Sequence, residues 1–273
     1  MPFRQICFLI LYSISLPCLG QTQEVSFITE KQTDTVFYHA ISASVADVEL
    51  DIQVAPPFQS LIKLKKDRLL TSKDTLYQVI GIPSILLDSI DASILFKDHI
   101  QAKFDYGNSK TAYHDSSYVY SLPIRKGKRV RISQGFNGKQ SHSSTESKYA
   151  IDFDIPVGSK VYAAREGIVV YTLDQFTKSG GKTYVKKANK IVILHSDGTF
   201  AAYSHLQYKG TLVKKGERVE RGQHIGYSGN TGFSRGPHLH FAVRLPQDIC
   251  VPIYFEGYEG QVFKKGDYVK RRR

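Results

Sequence analysis

Gly236-Pro237-His238-Leu239-His240-Phe241-Ala242-Val243 is the stretch that decides how this chain folds and where its chemistry lies. Read as a β-strand, it alternates its side chains between two faces. Leu239, Phe241 and Val243 share an apolar face that asks for a core, and His238, His240 and Ala242 share the other. Two imidazoles about 7 Å apart on one sheet surface suit a metal ion and its catalytic water. In isolation the same pair also reads as two solvent-facing histidines on a half-exposed strand. The rest of the sequence has to choose.

Moving outward from that strand, residues 122–273 are dense in strand signals. Residues 151–155, 160–164, 167–173, 184–188, 190–195 and 199–205 are rich in Val, Ile, Tyr and Phe. Asp197-Gly198 marks a turn, and 214–217 and 220–223 read as Lys/Arg-Gly hairpin tips. Gln134-Gly135-Phe136-Asn137-Gly138 reads as a loop. Upstream, residues 21–121 alternate apolar and polar positions in short runs such as 48–54, 75–82 and 93–96. They predict a separate β-rich domain, a small sandwich or similar. His39, His99 and His114 are isolated there and read as ordinary surface or core histidines. The expected fold class is therefore mostly β: an N-terminal β-rich domain over 21–121 and a compact antiparallel β-domain over 122–273 with a basic tail.

Residues 1–20 read as an export signal. Arg4 supplies the positive start, residues 6–16 an apolar core, and Gly20 a small residue for cleavage. The apolar run is too short, and too broken by Ser and Pro, for a comfortable membrane span. Of the three cysteines, Cys7 and Cys18 fall in this segment, so only Cys250 remains after cleavage. An internal disulfide and a cysteine zinc site are then both excluded, and any metal must be held by His and carboxylate. Formal net charge is +12, or +11 once Arg4 is removed. Export makes nucleic acid the least suitable partner, and no base-recognition motif appears. An anionic cell-wall polymer or membrane surface fits the basic residues, as does a soluble basic surface with no specific partner.

Four segments carry the chemistry together: Ser141-His142 in a polar loop; Tyr149-Ala150-Ile151-Asp152-Phe153-Asp154-Ile155-Pro156-Val157-Gly158; Tyr203-Ser204-His205-Leu206; and the glycine-rich run 226–236 leading into His238-Leu239-His240. With Val161-Tyr162-Ala163-Ala164 and Gly167, these motifs in this order resemble the lysostaphin-type, LytM-like zinc metallopeptidases of bacterial cell walls. The resemblance covers roughly residues 128–260. It implies a zinc endopeptidase cutting peptidoglycan peptides, exported to the periplasm or cell wall. It also implies Asp152 and His240 as zinc ligands, and His238 and His205 as the catalytic imidazoles.

The third ligand departs from the family pattern. Members commonly place it four residues before the Asp, where this chain has Lys148, which cannot serve. His142 is the nearest candidate, ten residues before Asp152, and Glu146 competes with it. A His-His-Asp set leaves one tetrahedral position for water, whose pKa zinc brings down to about 7. One neighbouring imidazole suits proton transfer and a second suits oxyanion stabilisation. Asp154 shares the Asp152 face at the two-residue period and is expected behind the ligands or capping a loop. His195 is expected to brace a turn, and His224 to lie at the surface. The alternative reading is a non-catalytic relative that activates other wall hydrolases.

Overall fold

The computed structural model describes residues 24–272. The expected export signal lies outside these residues. No described helix is long and apolar enough to cross a membrane. The chain divides into two compact units, one ending at Asn108 and the other beginning at Ser109.

The first unit is mostly β, as its alternation predicts. One sheet runs Val25–Gln32, Thr35–Ser42, Thr75–Pro83, Lys63–Leu64, and a second runs Leu69–Leu70, Val48–Val54, Ile100–Tyr106. In Val48–Val54 the inward residues Val48, Leu50, Ile52 and Val54 are buried, while Asp51 and Gln53 are exposed. They pack with Phe27, Tyr38 and Ile80 in one core. Residues 93–96, expected as strand, instead lie in the helix Ala92–Asp98. The Asp91 carboxylate accepts from Ser93 N–H at 2.7 Å and caps the helix, and Leu95 and Phe96 turn into the core. A four-residue alternation was too short to outweigh that cap.

The second unit is built on an eleven-stranded sheet. Its main path runs Arg218–Val219, Gly167–Leu173, Asn189–Leu194, Phe200–Thr211, Leu239–Leu245, Ile151–Asp154, Arg129–Gln134, Tyr268–Lys270, all antiparallel. Two short parallel pairs, Ser179–Gly180 with Gly232–Phe233 and Val119–Tyr120 with Tyr254–Phe255, modify the expected all-antiparallel picture. The apolar face read from the central strand is borne out: Leu239, Phe241 and Val243 are buried among Phe153, Tyr203, Leu206 and Phe255. Burying each such large side chain contributes about 1.5–3 kcal/mol. Residues 184–188 are not a strand. Lys182–Lys187 forms a 3₁₀ helix, begun by the Tyr184 N–H to Gly181 carbonyl bond of 2.9 Å. The Tyr184 ring then lies against Gly180.

Residues 109–121 pack in the second unit, so the division falls upstream of the junction expected near Ser121. Tyr118 and Tyr120 hold this segment against Arg165. The guanidinium sits 3.9 Å over the Tyr118 ring and pairs with Asp197 at 2.6 Å. Beside them is His195, buried, its Nδ1–H donated to the Glu166 carbonyl at 2.7 Å. It braces the Asp197-Gly198 turn as expected, through its backbone bond to Thr199. Burial, reinforced by nearby Arg165 and only partly offset by the Glu166 carbonyl, lowers its pKa from 6.5 to about 4. A histidine kept neutral in the fold binds fewer protons than in the unfolded chain. Its contribution is complete above pH 6.5 and lost as pH falls towards 4, on the order of 3 kcal/mol in all. Urea titrations from pH 7 to 4 should therefore show falling stability. His195→Asn, which keeps a donor for Glu166, should flatten that slope, and an unchanged slope would contradict the assignment.

Candidate metal centre

The site is a row of residues lying across neighbouring strands. Gln134 pairs in register with Asp152, Asp152 with His240, and His240 with Ser204. Register alone thus brings together residues far apart in sequence, because one strand face is common to all. His142 joins the row from the 135–149 loop. Its Nε2 lies 3.2 Å from Asp152 Oδ1, and His240 Nδ1 lies 2.9 Å from the same oxygen. The two ring nitrogens are 3.3 Å apart. One ligand atom from each of His142, Asp152 and His240 thus falls within 4.8 Å of the others.

These distances can be tested against a metal. Bonds of about 2.0–2.1 Å to a tetrahedral zinc place neighbouring ligand atoms about 3.3 Å apart. The three observed separations are close to that edge. Proton bookkeeping agrees. The Gly135 carbonyl can only accept, so at 2.9 Å it fixes the proton of His142 on Nδ1. In the neutral ring this leaves a bare Nε2 lone pair facing a carboxylate and a second imidazole nitrogen. Two imidazole nitrogens and one carboxylate oxygen converging in this way make a donor set that fits a divalent ion. Burial alone would raise the Asp152 pKa, but the closeness of the His142 and His240 ring nitrogens to its Oδ1 outweighs it and holds the carboxyl well below its usual range.

Gly135 is needed where it stands. A Cβ there would meet the Phe263 carbonyl oxygen at 1.9 Å, so only glycine lets the loop begin close enough to hold His142.

His238 and His205 flank the cluster. His238 Nδ1–H donates to the Gly236 carbonyl at 2.8 Å, and its Nε2 stands 3.8 Å from Asp152 Oδ1. His205 Nδ1–H donates to the Thr231 carbonyl at 2.6 Å. Each therefore presents a bare Nε2 when neutral. Their ring centroids are 4.6 Å apart. Burial first, then the neighbouring His238 and His240, push the His205 pKa down to about 3.

A break in the Phe200–Thr211 strand places His205. Tyr203 and Leu206 both enter the core although three residues apart, and His205 between them has φ +64°. There the strand exchanges partners, from His240 opposite Ser204 to Ser228 opposite Leu206. A non-glycine residue in the left-handed region costs about 1–3 kcal/mol and persists only where its surroundings hold it. Here they include buried Asn189 and Thr231. Asn189 Nδ2 donates to the Leu206 and Gln207 carbonyls, and Thr231 Oγ1 to that of Leu206.

Exposure is graded across the site. The His142 side chain is 0% exposed, Asp152 8%, His240 13% and His238 16%. The cluster is sealed behind His142 and open on the His238 side. A groove lined by Val157, Ser179, Gln207, Tyr208, Asn230 and Thr231 runs beside His205. A larger cavity, in the first unit around Val54, Ile62 and His99, holds no comparable cluster.

Among the other residues singled out from sequence, Glu146 is exposed and outside the cluster. Asp154 is also outside it. Ile151 and Phe153 both stay in the core, so Asp154 follows the Asp152 face, yet at the end of its strand it lies exposed, 3.7 Å from Arg131. His224 is half-buried rather than at the surface, its ring between Tyr162 and Tyr227. Gln134, Asn189 and Thr231 were not singled out. Gln134, in a run whose composition reads as loop, is the last residue of its strand.

Residues 146–252 match the model of Peptidase family M23. The match contains Asp152, His205, His238 and His240, and begins just after His142. Peptidoglycan DD-endopeptidase ShyA of Vibrio cholerae is 39% identical over 114 residues, 41% of this chain and 24% of that protein. Glycyl-glycine endopeptidase ALE-1 of Staphylococcus capitis is 40% identical over 94 residues, 34% of this chain and 23% of that protein. The chain thus spans about a quarter of the length of these curated relatives. The solved catalytic domain of lysostaphin from Staphylococcus simulans aligns with a TM-score of 0.34 at 27% identity, covering 46% of this chain and 87% of that one.

Proposed function

We propose that this protein is an exported zinc endopeptidase that hydrolyses the peptide cross-links of bacterial peptidoglycan. The observation that carries the reading is the convergence of His142 Nε2, Asp152 Oδ1 and His240 Nδ1 beside two further imidazoles on the open side. The relatives named as peptidoglycan and glycyl-glycine endopeptidases support the substrate class. The sequence of residues 1–20 supports export.

His142, Asp152 and His240 would hold the ion. When bound, zinc supplies Lewis-acid polarisation of a peptide carbonyl and of the attacking water. The remaining work falls to His205 and His238. With rings 4.6 Å apart, the two cannot both carry a proton without mutual repulsion, so the pair handles one proton at a time. Burial keeps His205 neutral, and its Nε2 accepts a hydrogen bond and orients the water. His238 Nε2, on the solvent side, takes the proton and delivers it to the leaving amine. The Thr231 and Gly236 carbonyls hold both rings in the tautomer this requires.

The test is mass spectrometry of fragments released from defined cross-linked muropeptides. New amino termini should appear with the purified protein, vanish with a chelator and return with zinc. Zinc binding without any fragment would reassign the chain as a non-catalytic binding or activator protein.

A further inference from the structure

Gln134 makes four hydrogen bonds from a side chain sealed in the protein, only 5% of the residue being exposed. Its Nε2 donates to Asp152 Oδ2 at 3.0 Å and to Ser141 Oγ at 2.8 Å. Its Oε1 accepts from the backbone N–H groups of Gln140 at 2.9 Å and Ser141 at 3.2 Å. Turning the amide over would set oxygen against carboxylate and NH₂ against N–H, so the four partners fix its orientation. The loop closes tightly over it: a Cβ on Gly138 would meet Gln134 Cγ at 2.2 Å.

We propose that Gln134 is a positioning residue that couples Asp152 to the loop bearing His142, so that both reach the metal in register. The inference rests on the metal reading above. Its necessity comes from the loop. A ligand on the same strand as Asp152 would be placed by that strand. His142 instead sits in an irregular segment whose end must be tied down against considerable chain entropy. Gln134 grips the two residues immediately before His142, while Ser147 Oγ donates to the Ser141 carbonyl from the other side. The same amide nitrogen occupies Asp152 Oδ2, which leaves Oδ1 to face both imidazoles. Groups that orient metal ligands in this way are typically worth about 10–100-fold in metal affinity.

Two variants separate the halves of the coupling. Gln134→Glu keeps an acceptor for the loop amides and replaces the donor to Asp152 with a second carboxylate. Gln134→Met removes both. Zinc dissociation constants are measured by chelator competition on the full chain, alongside unfolding midpoints of zinc-free protein. Gln134→Glu should weaken zinc at least tenfold while folding normally by circular dichroism, and Gln140→Ala, which alters an exposed side chain, should leave affinity unchanged. The loss should also shrink to less than threefold in a His142→Ala background, because the two act together. A residue that merely supported the fold would lower the zinc-free midpoint and leave affinity alone. Affinity within twofold of wild type in Gln134→Glu overturns the proposal. So does an undiminished loss in the His142→Ala background. Failure of the wild-type chain itself to bind zinc would overturn the metal reading instead.

Discussion

Asp152→Ala and His240→Ala each abolish retention of zinc: this is the largest effect expected of any substitution in the chain. Asp152 is the only carboxylate in the cluster, and its Oδ1 is the oxygen common to the two closest contacts. Without it, two neutral imidazoles must hold a divalent ion with no compensating charge. Losing one of three protein ligands should weaken binding on the order of a thousandfold, about 4 kcal/mol. The fold should survive both changes. The neighbours of the two residues, Ile151, Phe153, Leu239 and Phe241, keep their strands in the core. Elemental analysis after gel filtration should find near-stoichiometric zinc in the wild type and almost none in either variant. Full occupancy in either would remove that residue from the ligand set. His142→Ala should behave alike, and Glu146→Ala should retain zinc, which decides between the two candidates for the third ligand.

The legible part of this site is the part that strand periodicity writes. His240 and Asp152 lie on strands whose alternate residues form the core, so each could be assigned a face from its apolar neighbours. The M23 match covers both strands. The rest depends on where strands stop, on loops and on local backbone breaks, which periodicity does not write. Asp154 shares the Asp152 face by periodicity, but it ends its strand exposed, 3.7 Å from Arg131 and outside the cluster. His205 is assigned by the family resemblance and not by periodicity, because it reaches the site through its own left-handed backbone between Tyr203 and Leu206. Gln134 was hidden because Gln-Gly-Phe-Asn-Gly is dense in turn residues, and composition gives no sign that the strand runs on to its first member. Only the pairing itself makes that visible. The helix Ala92–Asp98 and the 3₁₀ helix Lys182–Lys187 were lost likewise, to a cap and a glycine-initiated turn that short alternating runs conceal.

His238→Ala separates chemistry from metal binding. The His238 Nε2 stands 3.8 Å from Asp152 Oδ1, well outside the 2.9–3.3 Å separations among the three ligand atoms. Its ring is held instead by the Gly236 carbonyl. Alanine there should leave zinc content and the unfolding midpoint near wild type. Turnover of cross-linked muropeptides should fall by roughly 10²–10⁴-fold, the range expected when a positioned proton carrier is lost. The loss should lie in kcat, because the ring moves a proton late in the reaction and holds no part of the substrate beforehand. His205→Ala should also keep its zinc and lose turnover. Because His205 and His238 share a single proton path, the double variant should be little slower than the worse single one. Additive losses would mean that the two rings act in separate steps. Unchanged turnover in His238→Ala would take it out of the mechanism and leave proton transfer to solvent through the open side of the groove.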